Sequence, residues 1–475
     1  MPHPIVEIDE LLRPIIDELI EICPQTTVSL ALTCRSLEEP TLSTLWKQQH
    51  SLPCLAEVLP NHTWTKNKDD LVTTVSGHNF PADLIEYQLA QVHDPSAGDW
   101  VRLRRYASWI RGLYLCSEEG FTNDILVRLS SNSPGGVLFT QLEWLDWHFG
   151  EAYTTLTSFH LFLSPNLSRV ALHTIDFLHD TPSSQFAAFV QVVSLLPTSL
   201  EDLTIKFIGE VDRLEDTVSS FVCRSGPSLR SLSTRVPLSE AAIRHLMQLP
   251  NLRSWMVVQE PPRTIPTSIF PSLEHLCLDE PETLPWLHLL ASHENDIVRN
   301  KSASSSSRSG ITETLKSLDW PWNTTVDSIT ISPVLKFRNL VSLYMHTYCP
   351  HMEDCVFRLT DHDMESLAAA LPRLENLQLG TPSHSCPCDT TFASLVSISV
   401  HCLDLTYLEI HINVLMIVSD MRRLLDGCAG RGETKCKLRE LSIGYLPHEV
   451  HAEDFTVGLK TIFPCLIELG GYPLR

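Results

Sequence analysis

Two short stretches of the chain contain residue types that could do chemistry. The first, "GCAGRGET" at residues 427–434, has the glycine spacing of a phosphate-binding loop. Such a loop needs a lysine before its Ser or Thr to contact the phosphates, and it follows a strand. Glu433 occupies the lysine position, and the stretch follows a predicted helix. The sequence therefore predicts no phosphate site here.

The second stretch, "SHSCPCD", contains possible zinc ligands in His384, Cys386 and Cys388, with His401 and Cys402 downstream. Thiolate and imidazole groups suit Zn²⁺, but zinc-binding cysteines are usually separated by about two to four residues. Here one residue separates the cysteines, and no clear second pair follows. "YCPHMEDC" at residues 348–355 matches a zinc site less well still. The cysteine spacing therefore does not predict a metal site.

The chain also contains no recognisable motif for nucleophilic catalysis. The chain has 21 histidines but no G-x-S-x-G sequence of the kind that carries a hydrolase serine. We therefore predict no catalytic residue, no metal and no cofactor, and a chain that is not an enzyme.

Charge and composition exclude further classes of function. The 475 residues carry a net charge of −22, which disfavours nucleic acids and anionic membrane surfaces as ligands. The 14 cysteines form no regular framework, so we expect reduced thiols in a cytoplasmic or nuclear protein. We also expect no signal peptide, because "MPHPIVEIDELL" has no basic region followed by an apolar core. We expect no transmembrane helix, because no apolar run approaches about 20 residues.

An uneven leucine pattern, L-x-x-L-x-L, recurs along most of the chain. "LENLQL" at Leu374 is one clear copy, and a proline often stands just ahead of the pattern. The mean spacing is about 30 residues. Copies, including weaker ones at the first, fifth and last positions, begin at residues 110, 142, 167, 200, 229, 252, 273, 315, 340, 374, 405, 438 and 466.

This spacing combines a turn with a short strand. The last L-x-L predicts a strand whose two apolar side chains point into a core, and the first Leu belongs to the turn that enters it. Amphipathic segments between the copies predict helices at residues 238–249, with Ser239 as N-cap, and at 360–371 and 414–425. We therefore predict an α/β chain in which a parallel sheet is backed by helices.

The repeat resembles the leucine-rich-repeat family over residues 100–475. The resemblance implies a curved solenoid whose strands line the concave side. An ordinary α/β domain with leucine-rich strands is the alternative. The serine-rich residues 300–310 interrupt the pattern and predict a flexible surface insert.

The first fifty residues follow a helical pattern instead. Pro14 suits a first helical turn, so we expect one helix to begin near residue 13. A second helix is expected over roughly residues 27–37, and a third from Pro40 to about Gln48. Three short helices bury little area and usually leave an apolar face for a partner.

These helices resemble an F-box, on the residues Leu12-Arg13-Pro14-Ile15-Ile16, Leu30-Ala31-Leu32-Thr33-Cys34-Arg35 and Leu45-Trp46-Lys47. They are most similar to the F-boxes of mushroom-type (basidiomycete) fungi, which often carry a further motif matched here by Trp100, Tyr106, Ala107, Ile110, Arg111 and Leu113. The adjacent Leu-Pro of the family is split here by Arg13.

The F-box resemblance implies a non-catalytic subunit of a cullin-based (SCF-type) ubiquitin ligase. Its helices would bind the adaptor and, through it, the cullin, while the repeats hold a protein target. The implied adaptor-binding residues are Leu12, Pro14, Ile15, Ile16, Leu19, Ile20, Leu30, Cys34, Leu45 and Trp46. The implied domains are 5–50 (F-box-like), 51–99 (connecting segment) and 100–475 (repeats). An interaction scaffold not linked to ubiquitination is the alternative.

Strand alternation predicts which side chains a target would meet. The residues between the inward-pointing leucines face the open side of the sheet, and aromatic residues with interspersed charges suit a protein-binding surface. The predicted target-binding residues are Trp144, Asp146, His148, Tyr344, His346, Tyr407, Glu409 and His411. His173, Lys206, Arg235 and Asp279 are predicted to be exposed on the same side.

Overall fold

The structure is a computed structural model of the chain. It describes residues 9–33, 35–50, 52, 55, 58–59, 64–67, 88–91, 96–116, 126, 129–131, 136–149, 153–174, 183–207, 211–266, 269–300, 311–320, 325–345, 357–380, 388–413, 435–443, 452–470 and 472–473.

The chain forms two compact units, residues 1–229 and 230–475. In the first unit a parallel sheet has the strand order β1-β4-β5-β6-β7 (Gln48–Gln49, Gly112–Cys116, Trp144–Phe149, Arg169–Thr174 and Asp202–Lys206). Two further strands pair with each other in antiparallel fashion, β2 (Trp64–Asn67) and β3 (Gln88–Gln91).

In the second unit the strands follow chain order through β8 to β16, all parallel, and β17 then pairs antiparallel to β16. These strands are Ser231–Thr234, Ser254–Val257, His275–Leu278, Ser317–Trp320, Ser342–Met345, Asn376–Leu379, Tyr407–Ile410, Glu440–Ser442, Glu468–Leu469 and Tyr472–Pro473. The chain is thus an α/β protein with a parallel sheet in each unit, as predicted.

The leucine pattern predicts where these strands begin. In all thirteen predicted copies a strand begins two residues after the start of L-x-x-L-x-L. In β13, Leu377 and Leu379 are completely buried, whereas Asn376 and Gln378 are half-buried on the other face. Leu374, in the turn before the strand, is also completely buried. The predicted roles of all three leucines are confirmed for this copy.

Helices return the chain between many of the strands. Ser239 caps its helix by accepting a hydrogen bond from the Ala242 backbone N–H, as predicted. Thr360 and Asp363 form a capping box at the start of another. In the described part of the chain, α1–α13 are Asp9–Ile22, Pro24–Ala31, Arg35–Leu45, Ala97–Ala107, Ser183–Leu195, Glu215–Arg224, Glu240–Gln248, Leu284–Asn300, Ile311–Thr314, Ser328–Ile331, Asp361–Ala370, Phe392–His401 and Ala452–Ile462.

The three N-terminal helices exist, but the predicted boundaries were wrong. Helix α1 begins at Asp9 rather than near residue 13, and Pro14 lies inside it. Pro40 likewise lies inside α3 instead of preceding it. The helices extend past both prolines because Leu12, Ile16 and Leu37 bury one another in a small core, which outweighs the local cost of a proline.

The end of α3 leads directly into the sheet of the first unit. The carbonyl of Lys47 accepts hydrogen bonds from the backbone N–H groups of Arg111 and Gly112, each at 2.9 Å. Strand β1 then pairs with β4 in parallel register. The rings of Trp46 and of Tyr106 in α4 pack edge-to-face, with 5.0 Å between their centroids.

Gly112 in β4 makes a close approach to a neighbouring strand. A Cβ at this position would lie 2.9 Å from Trp144 Cε3 and 3.5 Å from Gln48 Cγ. We expect Gly112→Ala to lower the free energy of unfolding by about 1–2 kcal/mol, because the Trp144 ring must shift. Urea denaturation measures this change.

Gly98 in α4 provides the matched control. A Cβ there would meet only Ser96 Oγ at 3.8 Å, so Gly98→Ala should be neutral or stabilising by up to about 1 kcal/mol. Equal denaturation midpoints for Gly112→Ala and the unaltered chain would show that the packing of the Trp144 ring does not require a glycine at residue 112.

Several predicted segments lie outside the described residues: the helix at 414–425, the stretches at 427–434 and 348–355, residues 301–310 of the insert, most of the connecting segment, and His384 and Cys386. The cysteines at residues 23, 223, 277, 388, 402, 436 and 465 are free. Among the described residues no helix is both long and apolar enough to span a membrane.

Candidate functional site

The open face is defined in each unit as the sheet face toward which the half-buried residues of each strand point, opposite the inward leucines. On it the structure brings predicted target-binding residues together at two places. The histidine cluster of Asp146, His148 and His173 lies in the first unit, on β5 and β6. The tyrosine groove of Tyr344 and Tyr407 lies in the second unit, on β12 and β14.

The geometry of the histidine cluster follows from the strand register. Asp146 and His148 are two residues apart on β5, and His173 is the direct partner of His148 on β6. The Nε2 atoms of His148 and His173 lie 3.2 Å and 3.3 Å from the same oxygen, Asp146 Oδ1. The two imidazole rings are stacked, with centroids 4.2 Å apart. Three potential ligand atoms therefore converge within 4.8 Å of one another.

Asp146 Oδ1 is buried and forms no hydrogen bond of good geometry, although both ring nitrogens are close. Burial acts to raise the pKa of this carboxyl, but the contacts with His148 and His173 outweigh it and hold the pKa well below its usual range. The side chain is therefore ionised, and one of its oxygens lacks a conventional partner. The side chains of the cluster retain 15–25% of their exposure, so solvent reaches them.

Aromatic rings surround one side of the histidine cluster. Tyr114 on β4 contacts His148, with ring centroids 5.0 Å apart, and His50 lies 6.3 Å from Tyr114. Trp144 lies on the same face of β5 as Asp146 and is half-buried. These contacts fix the His148 ring from the side opposite His173.

The tyrosine groove has a volume of 550 Å³. Strand β13 runs between the two tyrosines and contributes polar amides to the floor. Asn376 donates a hydrogen bond to Ser342 Oγ at 3.2 Å. The groove is lined by Tyr344, Asn376, Gln378, Thr406, Tyr407, Arg439 and Glu440. Rigid rings beside amides and charges of both signs suit a peptide or protein segment.

The Tyr407 hydroxyl donates a hydrogen bond to Glu409 Oε2 at 2.7 Å. Burial, followed by this hydrogen bond, raises the pKa of Tyr407 well above its usual range. The phenol therefore stays protonated and holds the carboxylate in place. The prediction that Glu409 is exposed was wrong, because it retains only 8% exposure beside this hydroxyl.

His411 was also predicted to be exposed, and it retains only 7% exposure. Alternation no longer applies to it, because β14 ends at Ile410. Its carbonyl instead accepts a hydrogen bond from Thr390 Oγ1 at 2.7 Å. His346, the remaining member of the predicted set, lies outside the described residues. Target binding by the whole set stays a prediction.

The open face of the second unit also carries an internal ion pair. Arg235 Nε lies 2.6 Å from Asp279 Oδ2, and a second guanidinium nitrogen bonds Oδ1. Burial, with the nearby carboxylates of Asp319 and Asp279, raises the pKa of the Cys277 thiol to about 12. A thiol held protonated in this way is not a nucleophile.

The predicted adaptor-binding residues divide into two groups. Leu12 and Ile16 are buried in the core of the three helices, with Ile20 and Leu30 packed against them. Pro14 and Ile15 are exposed, and Ile15 retains 48% exposure. Leu19, Leu45 and Trp46 are half-buried, and Cys34 lies outside the described residues.

Sequence reasoning missed some members of both open-face sites. His173 was assigned only to the open face, and Tyr114, Asn376 and Gln378 were not singled out. A signal was present for the histidines, since His148 and His173 each stand six residues after the start of their repeat copies. Aligning the repeats would have made them lateral neighbours.

No protein-family model matches the chain, and no curated protein is significantly similar to it.

Proposed function

We propose that the chain is a leucine-rich-repeat protein with an F-box-like head, and that it acts as the target-recognition subunit of a cullin-based ubiquitin ligase. One observation carries the proposal: all thirteen copies of L-x-x-L-x-L precede a strand by two residues, and a small helical head comes before them. Such a subunit does no bond chemistry. It raises the local concentration of a target near a transferase.

A repeat solenoid is supported by how the units bury their leucines. One strand and one helix cannot bury an apolar face alone, whereas stacked copies supply each other with neighbours. Leu343, Leu377 and Leu408 are register partners on β12, β13 and β14, and all are completely buried. Leucine ladders of this kind are expected of a repeat array.

Adaptor binding is supported by apolar side chains that the head leaves in solvent. Ile15 and Ile22 of α1 retain 48% and 71% exposure, and Leu32 after α2 retains 82%. Exposed large apolar groups on such a small helical unit suit a protein partner. The buried Leu12 and Ile16 act indirectly in this proposal, because they hold α1 in place.

Capture of the head by the ligase adaptor tests the proposal. We expect immobilised adaptor to retain the full chain, and we expect Ile15→Asp to reduce its affinity by about tenfold or more, because a charge replaces an apolar contact. Affinity is measured by biolayer interferometry with each purified variant, after circular dichroism has verified its fold.

Val101→Asp is the matched control, since Val101 in α4 retains 72% exposure and lies outside the head helices. It should bind as the unaltered chain does. Ile16 cannot serve in this test because it is completely buried, and a charge there would disrupt the head itself. An affinity that is indifferent to Ile15→Asp would rule out this docking face.

A scaffold without a ligase role is the second candidate, and two contacts favour it. Trp46 already packs against Tyr106 within the chain, and Leu12 is buried among the head helices. In this second candidate, the role of these residues is to attach the head to the first repeat, and they bind no adaptor. No adaptor capture by the folded, unaltered chain would support this candidate over the first.

A further inference from the structure

We propose that Asp146, His148 and His173 form a binding site for a divalent transition-metal ion of the Zn²⁺ type on the open face of the first unit. Metal binding at this site requires neither the adaptor nor a bound protein target. It was not anticipated from the cysteine-containing stretches, which were the zinc candidates in the sequence.

The distances fit a shared metal ion. Zinc binds imidazole nitrogen at about 2.0–2.1 Å and carboxylate oxygen at about 2.0–2.2 Å, so neighbouring ligand atoms around it are about 3.0–3.5 Å apart. The two Asp–His separations here, 3.2 Å and 3.3 Å, fall in that range. Both histidines approach through Nε2 toward one carboxylate oxygen, which leaves that oxygen between them.

The unsatisfied carboxylate oxygen is the second, independent observation. Asp146 Oδ1 is shielded from solvent, and although the two imidazole nitrogens lie close to it, neither meets it at a hydrogen-bonding angle. Buried charged oxygens normally have a hydrogen-bond or metal partner. A cation placed between Oδ1 and the two imidazole nitrogens would supply that partner without moving the strands.

The backbone holds the three ligands in place. Asp146 and His148 lie on one rigid strand, and His173 is fixed beside His148 by the register of β5 and β6. Tyr114 supports the His148 ring from β4. Ligands carried on strands are positioned more reproducibly than ligands on loops.

The ligand set also selects the kind of metal. Ca²⁺ and Mg²⁺ prefer oxygen ligands alone, whereas two imidazoles and one carboxylate suit Zn²⁺ and its first-row neighbours. The ligands come from one side, and their side chains retain 15–25% exposure. The remaining coordination positions therefore face solvent, where water or a partner side chain completes the shell.

Metal binding by the purified full chain tests the proposal. After chelator treatment and equilibrium dialysis against Zn²⁺, bound zinc is counted per chain by mass spectrometry. We expect Asp146→Asn, His148→Gln and His173→Gln each to lose one equivalent, with affinity at that site reduced by about 100-fold or more. His275→Gln, which changes an exposed histidine on β10, should retain all the zinc of the unaltered chain.

Cobalt distinguishes this site from the free cysteines. Co²⁺ at Asp146, His148 and His173 should give visible absorption without a thiolate charge-transfer band, and the absorption should disappear in His173→Gln. Equal zinc content in the unaltered chain and all three ligand variants would overturn the proposal. A cobalt spectrum that arises from thiolates alone would overturn it as well.

Discussion

Trp286→Ala should lower the free energy of unfolding of the second unit by about 3–5 kcal/mol, because it empties a large buried site. Trp286, near the start of α8, is completely buried. Its ring meets Trp255 edge-to-face, with centroids 5.0 Å apart, and Phe270 lies 6.3 Å away. Its Nε1 also donates a hydrogen bond to the Gln259 carbonyl at 2.8 Å. Urea denaturation followed by far-ultraviolet circular dichroism measures the loss.

Trp286→Phe separates the contribution of the ring from that of the hydrogen bond. Phenylalanine keeps most of the apolar contact with Trp255 but cannot donate to Gln259, so we expect it to cost about 1–2 kcal/mol. A Trp286→Ala chain that unfolds at the same urea concentration as Trp286→Phe would show that these rings do not form a tightly packed core.

Asp361→Ala should cost about 2–3 kcal/mol, since one carboxylate connects two helices. Asp361 is the first residue of α11, and its oxygens accept from the N–H and the hydroxyl of Thr391 at 2.7 Å and 2.6 Å. They also accept from the Ser394 hydroxyl. Removal of the carboxylate leaves donors at the N-terminus of α12 without their acceptor, and thermal denaturation records the effect.

Asp363→Ala is the control from the same helical turn. Asp363 only completes the capping box with Thr360 at an exposed position, so its loss should cost about 0.5–1 kcal/mol. If the two alanine variants were equally stable, the link from Asp361 to α12 would contribute nothing beyond ordinary capping.

The sheet could be predicted from sequence because one local pattern fixes each strand. Leu377 and Leu379 must face one way in a strand, and Leu374 must sit in the turn before it, so three leucines give both element and register. The helical head was harder. Its boundaries depend on contacts among Leu12, Ile16 and Leu37, which a local reading of Pro14 and Pro40 cannot weigh.

The sequence predicted which site residues lie on the open face of one strand, but not which residues of neighbouring strands contact each other. Alternation assigned Asp146 and His148 to the open face of the first unit, and Tyr344 and Tyr407 to the open face of the second unit. It could not show that His173 stacks on His148, because that contact depends on pairing between β5 and β6. It also could not foresee that a hydroxyl two residues away would cover Glu409.

Strand β1 is only two residues long, yet it occupies an edge that would otherwise be open. Among the described residues, Gln48 and Gln49 are the strand partners on this side of β4, and without them its N–H and C=O groups would be unpaired there. Such edges recruit strands from other molecules and promote aggregation. We therefore expect repeats separated from the head to associate through this edge and to be poorly soluble.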